Sequence, residues 1–154
     1  MFFQIKQRSG KYLKVCCFPG ADTEKVSDHA EVELKYALPN VAILHAGGND
    51  LANGDQIDDI VDHLSYLAVE LKHRGVKRIA ISAMVPRKDL KEDIPKLNAV
   101  LKAMCHTNGY DFINNSNIIY KYNLSDDKVH LNYKGVQLLQ GNFISYLKRV
   151  GNEH

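Results

Sequence analysis

Three short stretches carry residues whose types and spacing could do chemistry. In Asp126-Asp127-Lys128-Val129-His130-Leu131-Asn132 a carboxylate stands three residues before a histidine. A carboxylate so placed can bond one ring nitrogen, fix the tautomer and leave the other nitrogen free as a base. Taken alone, the stretch reads equally as a solvated acidic turn with a capping histidine. In His45-Ala46-Gly47-Gly48-Asn49-Asp50 two glycines allow a sharp turn and a close backbone approach to a ligand. Asn49 supplies a neutral amide donor of the kind that stabilises an oxyanion in acyl transfer; a plain Gly-Asn turn is the alternative. In Phe18-Pro19-Gly20-Ala21-Asp22-Thr23 the N–H of Gly20, ahead of a helix, could face an anion.

The elements that must position these stretches follow from the apolar pattern. Short apolar runs at 13–18, 41–46, 78–85 and 111–114 read as strands, the VAIL run from Val41 to Leu44 as one covered on both faces. Between them lie amphipathic helices. Val26, Ala30, Leu34 and Leu38 share one helical face. Ile57, Ile60, Val61, Leu64, Leu67, Ala68 and Leu71 mark a second helix, with Gly75 at its end. Leu97, Val100, Leu101 and Met104 stripe a third, closed by Gly109, and Val136, Leu139, Phe143 and Leu147 a last one, with Asn132 as N-cap. Alternation of this kind predicts one α/β domain, a three-layer α/β/α parallel sheet with helices on both faces. Ligand sites in such sheets sit at the carboxyl ends of the strands, where all three stretches fall.

Taken together and in this order, FPGA, HAGGNDL and DDKVHLNYKG resemble the blocks of the SGNH (GDSL-like) hydrolases. SAMVPR and FINNSN resemble that family's fourth strand and the loop after its fifth. The resemblance runs from about Lys11 to Lys148 and is nearest to short SGNH domains of invertebrate and retroelement-associated proteins. It implies a flavodoxin-like sheet and an ester hydrolase acting on acyl or acetyl esters. His130 would be the base, Asp127 its orienting partner, and Gly20 and Asn49 the oxyanion donors. No cofactor or metal is implied. The family's first block, Gly-Asp-Ser at the end of an opening strand, is missing, and no Gly-Asp-Ser occurs in the sequence. In the family that strand lies between those equivalent to 13–18 and 41–46. The chain is therefore expected to lack the family's first strand, as though truncated at its N-terminus. The gap would be filled by residues 1–5, closed by direct pairing of the two flanking strands, or completed by a second chain in a homodimer.

Ser9, Ser82 and Ser116 are poorly placed to substitute, being expected at the far end of the sheet, inside a strand, and in a late loop. Two functions stay open: an SGNH ester hydrolase with weak or absent turnover, or a non-catalytic SGNH-fold remnant that binds a ligand or partner. A nucleotide-binding domain is disfavoured, since neither GxGxxG nor a P-loop occurs. Twenty basic against 18 acidic residues give a net charge of +2, without a basic block for nucleic acid. Three cysteines in no repeating spacing argue for reduced thiols and a cytoplasmic setting. No stretch approaches a membrane span. The expected partner is a small-molecule ester. His29, His63, His73 and His106 read as helix-surface residues, and His45 as either a buried, hydrogen-bonded side chain or part of the site floor.

Overall fold

The computed structural model describes residues 2–6, 8–19, 22–35 and 38–152. Four strands run parallel: β2 (Tyr12–Pro19), β3 (Val41–His45), β4 (Arg78–Ser82) and β5 (Asp111–Ile113). A further strand, β1 (Phe2–Lys6), lies antiparallel on the outer side of β2, Phe2 facing Cys16 and Lys6 facing Tyr12, so the sheet order is β1-β2-β3-β4-β5. The helices are α1 (Thr23–Glu33), α2 (Gly48–Ala52), α3 (Ile57–His73), α4 (Asp93–Asn108), α5 (Tyr120–Asn123) and α6 (Tyr133–Asn152), with a 3-10 turn at Lys88–Leu90.

Strand period two divides the core into two faces. Cys16, Ala42, Leu44, Ile79 and Ile81 point to one side, against Val26 and Ala30 of α1, the stripe of α3, and Leu97 and Leu101 of α4. Val15, Val41, Ile43, Ala80 and Ile113 point to the other, where Tyr146, Leu147 and Val150 of α6 cover them. The asymmetry follows from topology. Strands added in one direction by right-handed crossovers place every crossover helix on the same face. Only α6, which follows the last strand, is free to close the other. The expected three-layer α/β/α arrangement is therefore present, with unequal outer layers.

Of the three ways to close the sheet where the family's opening strand would lie, direct pairing is the one present. Val15 faces Val41, and the ladder runs through to Pro19 facing His45. Residues 2–6 take the outer edge of β2 instead of the gap. The first helix also differs from expectation. It ends at Glu33, and Leu38, expected on its buried stripe, lies beyond it and is exposed. The helix ends behave as their residues require. Gly109 caps α4 in the left-handed region, at φ 72°. Asn132 accepts from the N–H of Gly135 at 2.9 Å as the N-cap of α6. Among the described residues no helix is long and apolar enough to cross a membrane.

Candidate active site

The site is assembled where β3 and β4 end. After His45 the chain turns through Gly47, whose φ of 126° belongs to glycine and which has Ile60 Cγ2 3.0 Å from where a Cβ would stand. The turn, expected to be a plain loop, winds directly into the short α2, which puts Asn49 in its first turn. Asp50, next along, points inward. Its carboxylate accepts from the N–H of Thr23 at 3.0 Å and from the Thr23 hydroxyl at 3.1 Å, which lies 3.1 Å from His63 Nδ1. A buried carboxylate so satisfied ties the start of α1 to α2. Sequence reasoning passed over this contact, which joins residues 27 apart.

The second wall is a tight loop closed by a bridge between Leu124 and Leu131. Within it Asp127 organises the turn: Oδ1 accepts from the N–H groups of Val129 (2.9 Å) and His130 (3.0 Å). Oδ2 lies 2.6 Å from His130 Nδ1. These bonds, that from the His130 ring foremost, hold the Asp127 carboxyl well below the usual carboxylate range. Lys128, at the tip, takes the left-handed conformation at φ 58°. The His130 side chain is 79% exposed, and among the described residues nothing bonds its Nε2. A ring held through Nδ1 with Nε2 open is arranged to take a proton.

Asn49 and His130 face one cleft of about 210 Å³, also lined by His45, Gly48, Met84 and Arg87. Asn49 Oδ1 accepts from Arg87 Nη1 at 2.8 Å, which leaves Nδ2 as the donor. Of the four residues expected to converge, Asn49, Asp127 and His130 do so; Gly20 lies outside the described residues. The profile of the GDSL-like lipase/acylhydrolase family matches residues 4–138 of the chain. The chain belongs to that family.

Several solved structures share its fold at low identity. A putative acylhydrolase from Bacteroides fragilis superposes with a TM-score of 0.75 at 17% identity, over 86% of this chain and 73% of its own. A GDSL-like lipase from Bacteroides thetaiotaomicron gives 0.72 at 16%, over 84% and 72%. A catalytic mutant of an acetylxylan esterase from Geobacillus stearothermophilus gives 0.67 at 15%, over 80% and 66%. Catalytic mutants of that esterase alter a serine, a histidine, and an aspartate three residues before the histidine. A search of curated proteins returns no match.

Measured against the GDSL-like pattern, the serines are the departure. Ser9 is exposed in the turn joining β1 to β2, at the amino end of the parallel strands. Ser116 is exposed beyond β5. Ser82 is fully buried at the end of β4, accepting from Asn115 Nδ2 at 2.8 Å and standing 2.9 Å from His45 Nδ1. His45 thus meets both expectations, since it lines the cleft and is hydrogen-bonded beneath it. Burial pushes it down to about 4. A larger cleft, about 480 Å³, lies at the amino ends of the strands, lined by Lys11, Lys72, Lys77, Arg78 and Asp111 among others. It holds none of the GDSL-like residues, and its Arg78 is engaged by Asp111 at 2.5 Å. Among the described residues no cluster of His, Cys, Asp and Glu could hold a metal ion.

Proposed function

We propose that this domain carries the base and oxyanion half of an acyl-ester hydrolase site, for small acyl or acetyl esters, with turnover weak or absent. Asp127 orients His130, His130 takes the proton of the attacking group, and Asn49 Nδ2 with the Gly20 N–H receives the oxyanion. The observation that carries the reading is the Asp127–His130 bond of 2.6 Å opening onto the cleft that Asn49 also lines. The Asp-x-x-His spacing of the acetylxylan esterase's catalytic mutants supports it.

Weak turnover follows from the serines. Among the described residues no serine hydroxyl bonds the His130 ring, so the attacking group is a water, and a site without its nucleophile keeps only about 10³–10⁴-fold over water from oxyanion and binding contributions. Entry of a Gly-Asp-Ser strand between β2 and β3 would require opening their ladder. The second reading, a fold remnant that binds without catalysing, is favoured by the direct pairing of β2 with β3. Kinship with invertebrate and retroelement-associated domains, and a cytoplasmic setting, belong to this proposal and rest on the sequence phrases and the reduced cysteines.

The deciding assay follows p-nitrophenyl acetate with the protein, His130→Ala and Ser9→Ala at matched concentration. A trace rate lost in His130→Ala and kept in Ser9→Ala is expected. No turnover from a folded protein favours the remnant. Robust turnover abolished by Ser9→Ala overturns both readings.

A further inference from the structure

We infer that Arg87 is a positioning residue of this site, holding the Asn49 amide so that its N–H points into the cleft. The inference rests on the hydrolase reading for its purpose, but on geometry alone for its content. Arg87 closes the SAMVPR stretch after β4, a stretch to which the sequence assigned no catalytic or oxyanion role. Its guanidinium is used on three sides. Nε and Nη2 grip the Asp89 carboxylate at 3.0 and 2.9 Å, a two-point fork that fixes the plane of the group. The remaining Nη1 donates to Asn49 Oδ1 at 2.8 Å.

An asparagine amide on an open surface can present either end to the cleft. With its oxygen held by a cation, the end that faces an incoming carbonyl is the donor, which an oxyanion needs. The cation also draws charge toward Oδ1, which strengthens the N–H as a donor. The Arg87 side chain is only 14% exposed, and its Nη1 stands 3.9 Å from where a Cβ on Gly48 would lie. Packing therefore restrains it as well as the Asp89 fork.

The same segment reaches the other wall. The N–H of Lys88 donates to the carbonyl of Lys128 at 2.7 Å, at the left-handed tip of the Asp127–His130 loop. Three consecutive residues thus touch both halves of the site: Arg87 reaches the oxyanion donor, Asp89 locks Arg87, and the backbone between them holds the base loop. A lysine cannot take over, because an ammonium is a point donor on a flexible stem and lacks the planar fork.

The test reads the Asn49 side-chain amide by NMR, assigned by its disappearance in Asn49→Ala. In Arg87→Met, the Asn49 signals are expected to move toward those of a free amide. The low-field His130 Nδ1 proton, held by Asp127, should stay in place. Arg87→Lys should move the Asn49 signals the same way and serves if Arg87→Met does not fold. Unmoved Asn49 signals in a folded variant overturn the inference. In the p-nitrophenyl acetate assay Arg87→Met should lower kcat about tenfold with KM unchanged, the size of one lost charge-assisted hydrogen bond. It should add nothing on top of Asn49→Ala, and full additivity overturns the inference. A wild-type protein without turnover counts against the hydrolase reading alone, since the amide signals judge Arg87 independently.

Discussion

His45 and His130 open onto one cleft, and each is held through Nδ1, yet the two regions around them do opposite things to an imidazole. On the floor, His45 stands against Ser82 and meets Phe143 edge-on at 6.2 Å between ring centroids. Burial there favours the uncharged ring. On the rim, His130 is exposed and paired with a carboxylate, so the imidazolium that forms on taking a proton has a counter-charge beside it. The residue types of a Ser-His-Asp triad are all present at this cleft, divided between two places. A serine beside a histidine is no nucleophile when its hydroxyl is buried and, among the described residues, no carboxylate bonds the ring. Partner and solvent, not residue type, separate the structural histidine from the candidate base.

The largest expected effect tests the floor. His45 has a folded value of about 4 against an ordinary 6.5. The unfolded chain therefore takes up this proton first as pH falls, and the stability His45 contributes is complete above 6.5 and lost toward 4. That difference is worth on the order of 3 kcal/mol. Urea midpoints measured between pH 7.5 and 4 should fall more steeply for the wild type than for His45→Gln. Equal slopes would show that the floor does not discriminate against charge, and the contrast would collapse.

The next effect falls on the rim. A Cβ on Gly135 would meet the carbonyl oxygen of Asn123, and Leu131 at 3.1 Å, so Gly135→Ala must push the first turn of α6 away from the base loop. Overpacking of this kind costs about 2 kcal/mol. Thermal unfolding should show that loss together with disappearance of the low-field His130 Nδ1 proton, while the pH slope due to His45 persists. Loss of both signatures would mean that floor and rim are one cooperative unit. A smaller effect of the same kind belongs to Asn132, which caps α6 and also donates to the carbonyl of Tyr122 at 2.8 Å. Asn132→Ala should cost about 1 kcal/mol, visible as a shifted urea midpoint.

What could be foreseen from the sequence follows the same division between pattern and contact. Periodicity marks β2 to β5, α3, α4 and α6, because each buries a continuous apolar face, and Asp127–His130 is legible because both groups sit in one loop at fixed spacing. Short elements carry no such signal. Residues 1–5 are one of three expected ways to fill the gap, and the strand found there, at 2–6, pairs with the outer edge of β2 instead. Residues 45–50 read as a glycine-rich loop, and the helix that begins within them at Gly48 has five residues, too few to show a helical stripe. Leu38 matched a period the chain had already left at Glu33. Arg87, Asp50 and Ser82 owe their roles to partners 38, 27 and 37 residues away, and no local spacing encodes such contacts.

The smallest expected effect concerns Ser82, and it is the one that most sharpens the contrast. If the floor pair were the reactive one, Ser82→Ala would abolish whatever ester turnover the protein has, as loss of a nucleophile does. The structure argues otherwise on three grounds. The Ser82 hydroxyl is inaccessible, it is held between Asn115 and His45, and among the described residues no carboxylate bonds the His45 ring to support an imidazolium. Removing it leaves Asn115 Nδ2 still bonded to the carbonyl of Ala83 at 2.7 Å, so the damage stays local. Turnover of p-nitrophenyl acetate by Ser82→Ala should therefore equal that of the wild type, while His130→Ala falls to background. If the two variants exchanged these outcomes, the base would be on the floor, and the exposed Asp127–His130 pair would be no more than the brace of a surface turn.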